Sequence, residues 1–331
     1  MNYTSPEEML KLSRNFMECR ILLSGAELNL FTILSGDPMS PQDVATHVDA
    51  DPRAMTVLLD ALASMGFIVK QNETYQCPDT ISPFLNDASN SSILPMLHHA
   101  AHLWRRWSRL TEIVKGEADP LSSMGISRSA EEMRAFIGAM HVVAEPHARE
   151  IVAQVDPGAA MSLLDVGGAS GTYTIAFLKA VPKMTATLFD RPDVIEMARE
   201  RLGRAGMLDR VTLVSGDFYQ DEFPSGHDLA FVSAIIHQNS PEENAHLFSK
   251  VFRSLDPEGR IVIRDHVMEP DRIQPKEGAI FAVNMLLGTS GGGTYTFREI
   301  EAGLLEAGFR KIRLIKRGQH MDALVEAFKP S

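Results

Sequence analysis

Cysteine is scarce: Cys19 and Cys77 are the only two in 331 residues. Their spacing fits neither a disulfide framework nor a zinc site, so a reducing compartment is expected. Positive charge is also short, with 32 Lys and Arg against 43 Asp and Glu and a net charge of −11. A protein whose main work is to neutralise phosphates needs the opposite balance. No apolar run approaches the roughly 18–20 residues of a membrane span. Pro6, Glu7 and Glu8 stand where a secretory signal would open with positive charge. Internal repeats and low-complexity tracts are missing too. What remains is ordinary, 44% hydrophobic and 23% charged, the balance of a chain that buries a core. At about 150 residues per domain, the length predicts two domains or one with a helical annex. A cytoplasmic protein is expected, with neither nucleic acid nor membrane among its partners.

The first hundred residues carry helical periodicity. Met9, Leu12, Phe16, Cys19, Leu22 and Leu23 recur at helical spacing, and a second apolar stretch, Ala26 to Leu34, is stopped by Ser35-Gly36-Asp37-Pro38. Ser40-Pro41 reads as an N-cap followed by proline at the first helical position. Asp51-Pro52 repeats that signal before Met55, Leu58, Leu59, Leu62 and Met65, and Gly66 ends the helix. Phe67–Val69 and Thr74–Cys77 flank the polar Gln71-Asn72-Glu73 and predict a hairpin. Helices followed by a hairpin form the winged-helix pattern. Winged helices commonly read DNA, but residues 1–85 hold five basic residues against eleven acidic ones. The candidate recognition helix itself carries Asp51, Arg53 and Asp60. Without a basic face, a structural or dimerising role is expected instead.

Residues 93–155 read as a helical connector rich in Met, His and aromatics. Beyond Asp156-Pro157-Gly158 the texture changes. Met161–Val166, Met184–Phe189, Val211–Ser215, Asp228–Ser233 and Arg260–Arg264 read as strands, with helices at Thr172–Ala180, Pro192–Ala205 and Pro241–Leu255. Strand–helix alternation predicts a parallel, doubly wound α/β sheet. A helix at Phe297–Ala307 and strands at Lys311–Lys316 and Asp322–Phe328 could complete it. The domain boundaries so read are 1–92, 93–155 and 156–331.

The strongest local signal is Leu163-Leu164-Asp165-Val166-Gly167-Gly168-Ala169-Ser170-Gly171, at the end of the first of these strands. Glycines there let the backbone approach a ligand at the sheet's carboxyl edge. The dinucleotide fingerprint needs glycine at positions one, three and six. Counted from Gly167, positions three and six are Ala169 and Thr172, so that frame fails. D-x-G-G-x-x-G instead resembles motif I of the class I S-adenosylmethionine-dependent methyltransferases. That resemblance implies a Rossmann-like sheet and S-adenosylmethionine as cofactor, leaving S-adenosylhomocysteine as product. It assigns Asp165, Gly167, Gly168 and Gly171 to the cofactor turn. Asp190, closing the second strand, is assigned to the ribose hydroxyls with Arg191 beside it. Gly216-Asp217-Phe218 matches the family's adenine segment, and Ser233 ends the next strand.

Asp228 to Asn239, which holds Ser233-Ala234-Ile235-Ile236-His237-Gln238, is similar to strand four of the small-molecule O-methyltransferases. These are the plant phenylpropanoid and flavonoid enzymes and their bacterial hydroxyneurosporene-type relatives. The likeness covers nearly the whole chain, because those enzymes dimerise through an N-terminal winged helix; it implies a homodimer. His237 matches the family's general base. Chemistry supports this independently, since a hydroxyl must lose its proton to attack a sulfonium methyl and histidine titrates near neutrality. Ser240-Pro241-Glu242-Glu243 predicts a capping box just beyond it, and a helix N-terminus facing His237 would favour the neutral imidazole. Asp265 matches the acid that orients the histidine in the plant enzymes. The chain departs from that pattern twice: Thr294 stands at the second acid's position, after Gly291-Gly292, and Gln238 stands where aspartate is usual.

The acceptor, a small molecule, is expected between the connector and the carboxyl edge. Phe136, Met140 and Met285 align with family positions that line the acceptor pocket, and Asn284 and Thr289 are nearby candidates. Met and Phe suit a planar apolar acceptor. His98 and His102 have a spacing that can bind metal, but no third ligand is near, so no metal is expected. Trp104-Arg105-Arg106-Trp107 resembles a stacking patch, yet in an acidic chain reads as a packed helix with snorkelling arginines. The reading is methyl transfer to the hydroxyl of an aromatic or polyketide-like molecule. Carbon or nitrogen methylation, hydroxylation with the same cofactor, and a non-catalytic ligand-sensing regulator stay open as alternatives.

Overall fold

Side-chain caps start the helices of the N-terminal region where serine and aspartate precede proline. The computed structural model describes residues 4–89, 91–119 and 130–331; residues 120–129 of the expected connector lie outside the described residues. Ser5 and Glu8 form a capping box on α1 (Pro6–Arg14). The chain then turns at Asn15, so the first periodic stretch is two helices, with α2 at Phe16–Glu27. After α3 (Leu30–Ile33), Ser40 caps α4 (Pro41–His47) and Asp51 caps α5 (Pro52–Ser64). The hairpin is β1 (Val69–Gln71) paired antiparallel with β2 (Thr74–Gln76). Its first strand begins two residues later than the sequence pattern predicts. Gly66, at φ 80°, closes α5, and the Phe67 N–H donates to the Leu62 carbonyl at 3.1 Å. Phe67 is thus spent on the helix end, and Ile68 goes into the core.

That core contains the buried Leu30, Phe31, Leu59, Leu62 and Tyr75. Helix α1 contributes nothing to it. After α6 (Ser82–Leu85), α7 (Leu94–Trp107) carries the Trp-Arg-Arg-Trp tetrad. Trp104 packs 6.3 Å from the Phe16 ring with Arg20 over its face, and Arg105 pairs with Glu27 at 3.5 Å. These contacts make Trp104 and Arg105 part of helix packing. Two compact units divide the chain, one of Met1–Arg105 and Arg134–Val142, the other of Arg106–Met133 and Val143–Ser331.

After α8 (Leu110–Val114) and the long α9 (Ala130–Val155), whose Arg134–Val142 stretch belongs to the first unit, the second unit continues with β3 (Ser162–Val166), α10 (Thr172–Ala180), β4 (Thr185–Asp190), α11 (Pro192–Arg204) and β5 (Val211–Ser215). Then come β6 (His227–Ser233), α12 (Pro241–Ser254), β7 (Leu255–Asp265), β8 (Val267–Met268), α13 (Lys276–Leu286) and β9 (Tyr295–Thr296). The last elements are α14 (Phe297–Glu306), β10 (Arg310–Lys316) and β11 (Ala323–Phe328). Seven strands form one sheet in the order β10-β11-β7-β6-β3-β4-β5. It is mixed, not all parallel: β11 runs antiparallel to both β7 and β10. The link from β10 to β11 is too short for a crossover, which takes a dozen residues or more, so these strands can only meet antiparallel. The other five strands are parallel.

Both faces of the sheet are covered, which explains its near-continuous apolar strands. Leu164, Val166, Val232 and Ile263 pack against Phe248 of α12 and Leu304 of α14. Leu163, Phe231 and Val262 pack against Ile151 of α9 and Phe177 of α10. The chain leaves β3 toward β4 and β5, then returns to β3's other side as β6. Strand order therefore reverses between β3 and β6, and such a reversal opens a crevice at the carboxyl ends. No described helix is long and apolar enough to cross a membrane.

Candidate active site

At the carboxyl end of β3 the chain wraps through Gly167–Gly171 into α10. Gly167 and Gly171 have φ of 64° and 79°, values that residues with a Cβ rarely adopt. A Cβ on Gly168 would fall 2.7 Å from the Leu188 side chain and 2.9 Å from that of Asp165. The turn therefore presents bare backbone. Asp165 is buried beneath it and accepts a hydrogen bond from the Thr174 hydroxyl at 2.5 Å. Burial pushes its carboxyl up to about 6.

This has a stability consequence. Folding favours the protonated acid, so the stabilisation present below pH 4 is lost as pH rises to about 6. Ionising the buried group costs about 3 kcal/mol, at 1.36 kcal/mol per pKa unit. In urea unfolding without ligand, Asp165→Asn is expected to gain on the wild type by up to that amount between pH 4 and 7. A difference between the two proteins that does not change with pH would contradict this.

Asp190 ends β4 and fastens the turn from the side. Its carboxylate accepts the Ala169 N–H at 2.8 Å and the Arg191 N–H at 2.7 Å. Burial raises its pKa against those two bonds. The Arg191 guanidinium is exposed and pairs with Asp193 at 3.2 Å, so its backbone is what it brings to the crevice. Gly216 donates to the Asp190 carbonyl at 3.0 Å, and a Cβ there would meet the Phe189 ring at 2.5 Å. Asp217 accepts the Tyr219 N–H, and the Phe218 ring lies 4.6 Å from that of Tyr219.

Two supports of this segment are absent from the sequence reading. Lys250, buried on α12, donates to the carbonyls of Phe218, Tyr219 and Asp221 at 3.0–3.1 Å. Its position three residues after Leu247, on the helix's apolar face, was the available signal. Tyr219 donates to Asn239, Asn239 to Asn244, and Asn244 to the Ile236 carbonyl. This chain ties the Phe218 segment to the turn bearing His237. A cavity of about 220 Å³ lies beside it, lined by Phe218, Tyr219, Asn239, Glu243, His246 and Leu247.

His237 sits in a short turn beyond β6, entered through Ala234 in the left-handed region at φ 58°. Its Nδ1 lies 3.0 Å from both carboxylate oxygens of Asp265, at the end of β7. Asp265 is buried, which alone would raise its pKa, but the charge and hydrogen bond of His237 and the His266 N–H at 2.8 Å hold it below the usual range. The Phe281 ring on α13 stands edge-on to the imidazole at 4.8 Å. Behind the histidine, the Gly293 N–H donates to its carbonyl at 2.8 Å, and a Cβ on Gly292 would lie 2.5 Å from that oxygen. The expected capping box of Ser240 and Glu243 starts α12. It is Asp265, however, that Nδ1 faces. Thr294 is buried and its carbonyl accepts from Arg272 at 2.9 Å, which leaves Asp265 as the acid beside His237.

The acceptor candidates divide between the units. Asn284 accepts the Trp107 indole N–H at 3.1 Å, and Met285 is buried. The Thr289 hydroxyl donates to the Met285 carbonyl at 2.8 Å and accepts from the Gly292 N–H at 2.9 Å, so it braces the glycine loop behind His237. Phe136 and Met140 belong to the other unit and are half-buried, with Phe136 5.3 Å from the His99 ring. Ser233 accepts from Arg264 at 3.1 Å. Among the described residues no group of three or more His, Cys, Asp or Glu could hold a metal ion.

Comparison with known proteins gives the family. An O-methyltransferase domain model matches residues 107–310, and an O-methyltransferase dimerisation domain model matches residues 10–83. The tetracenomycin polyketide synthesis 8-O-methyl transferase TcmO of Streptomyces glaucescens is 29% identical, over 93% of this chain and 92% of its own. The 3-hydroxy-5-methyl-1-naphthoate 3-O-methyltransferase of Streptomyces sahachiroi is 25% identical, over 94% of this chain and 91% of its own. The crystal structure of human N-acetylserotonin methyltransferase, in complex with SAM, superposes with a TM-score of 0.84 at 23% identity, covering 100% of both chains. With the domain model matching more than half of its length, the chain belongs to the O-methyltransferase family and is an S-adenosylmethionine-dependent O-methyltransferase.

Proposed function

We propose that the enzyme methylates a hydroxyl of a small aromatic or polyketide-like molecule, with His237 as general base and Asp265 orienting it. The observation that carries this reading is the Nδ1 of His237 at 3.0 Å from both oxygens of Asp265. With Nδ1–H given to the carboxylate, Nε2 is the nitrogen left to take the hydroxyl proton. Asp265, held in its charged form, stabilises the imidazolium that results. When bound, S-adenosylmethionine supplies a methyl group made electrophilic by its sulfonium.

The residues at the crevice fit that cofactor. The side-chain-free turn at Gly167, Gly168 and Gly171 is a cradle that a Cβ would fill. Asp165 supports it, and Asp190 keeps lone pairs for ribose hydroxyls beyond its two backbone bonds. Gly216, Asp217 and Phe218 hold the adenine, with the Arg191 backbone and Ser233 flanking. Met285 and Asn284 are our acceptor contacts on the cofactor-binding unit and Phe136 and Met140 those on the other unit, while Thr289 acts through the loop. Gln238 and Thr294 in place of acids favour an acceptor whose hydroxyl is itself acidic, as phenols of polyketide origin are. By name, TcmO serves tetracenomycin polyketide synthesis, and the second relative methylates the 3-hydroxyl of a naphthoate.

In our reading, residues 1–92 dimerise, 93–155 line the acceptor site and 156–331 bind the cofactor. Two copies associate through the N-terminal region, where Met9, Leu10, Leu12, Phe16 and Met17 are each at least 50% exposed. The exposed free thiol of Cys19 suits a reducing cytoplasm. The test is incubation with methyl-labelled cofactor and a panel of phenols graded in acidity, followed by mass spectrometry and NMR of the products. Label on oxygen is expected, with turnover rising with phenol acidity. Label on carbon or nitrogen, or none on any phenol, would overturn the reading.

A further inference from the structure

Arg264 is the one buried arginine among the described residues, 7% exposed, in the penultimate position of β7. Its neighbours do not account for a buried guanidinium. Nη1 donates to the Ser233 hydroxyl at 3.1 Å. The Tyr173 ring lies 5.3 Å from its Cζ, and Nε is buried without a hydrogen-bond partner. No Asp or Glu among the described residues lies within ion-pair distance of it. A buried cation with most of its five donors unused is strongly unfavourable unless an anion completes it.

Its place on the sheet says which anion. Arg264 is in register with Ser233, at the carboxyl end of β6 and β7. Along the same edge, the proposed adenine segment follows β5 and the ribose acid Asp190 ends β4. A cofactor laid across the edge in that order brings its amino-acid end over β3 and β6. Among the described residues, the buried lysine of this domain, Lys250, has its ammonium occupied by three carbonyls.

We infer that Arg264, steadied by Ser233 and Tyr173, receives the carboxylate of the cofactor's methionine moiety. The inference rests on the cofactor placement proposed above. Arg264 would then be a specificity determinant for an intact amino-acid tail, and its charge would be neutralised only when cofactor or product is bound. A planar guanidinium with a free fork matches a carboxylate in two parallel bonds, which a lysine cannot reproduce.

Calorimetry with two ligands tests this: S-adenosylhomocysteine, and its decarboxylated analogue, which keeps the ammonium. The wild type is expected to bind the intact product about 10- to 100-fold more tightly, the range of a hydrogen bond to a charged group. In Arg264→Met that gap should close, with the intact product weakened and the analogue unchanged. Arg264→Lys should retain part of the gap, and covers the case in which the methionine variant does not fold. Equal weakening of both ligands in either variant would make Arg264 a packing residue and overturn the inference, leaving the cofactor placement standing. A wild type that binds neither ligand would overturn both.

Discussion

Replacing His237 by alanine is expected to lower turnover by about 10²–10⁴, the usual contribution of a general base, with cofactor affinity nearly unchanged. The imidazole touches Asp265 and Phe281 and has no hydrogen bond to the glycine turn or Asp190. Asp265→Asn should do less harm, since the amide oxygen still accepts the Nδ1–H bond but no longer offsets the imidazolium charge. An acceptor that is already ionised, such as a phenol of low pKa, decides the matter. If His237 removes the proton, the alanine variant recovers most of its rate on that acceptor. An equally large loss on ionised and neutral phenols would leave His237 only a role in shaping the pocket.

Substituting both Leu12 and Phe16 by aspartate is expected to weaken self-association by at least about 10²-fold. The two side chains are 50% and 51% exposed and lie on either side of the turn at Asn15, on α1 and α2. Burying what remains of each is worth over 1 kcal/mol, and placing carboxylates there adds a desolvation penalty. Neither residue belongs to the N-terminal core, and α1 buries none of its side chains, so the fold itself should persist. Sedimentation velocity over a range of concentrations measures the shift, with circular dichroism as the check on folding. A wild type that sediments as a monomer, or a variant whose dimer is undiminished, would refute dimerisation through this surface.

Local pattern decided much of this protein. The caps at Ser40, Asp51 and Ser240 were readable because a helix start is written in three or four consecutive residues. The D-x-G-G-x-x-G turn and the acid ending β4 were readable because bare backbone and a carboxylate at a strand end have few substitutes. His237 and Asp265 were singled out 28 residues apart, as a likeness to a family. Their contact at 3.0 Å comes only from the parallel pairing of β6 and β7. The antiparallel docking of β11 on β7 was not readable either, since a strand's direction within a sheet depends on which partner it finds.

Other roles are set wholly by what the fold brings near. A lysine on an amphipathic helix is ordinarily solvated, and Lys250 holds the Phe218 segment only because three carbonyls meet its ammonium. Thr289 was expected beside the acceptor and instead braces the loop behind His237. In the sequence, Arg264 reads only as the end of a strand. Sequence by itself determined which segments become helix, strand and glycine turn, because those choices are made within a few residues. Tertiary structure alone decided which polar groups are buried and what each one faces, because burial and pairing belong to segments far apart in the chain.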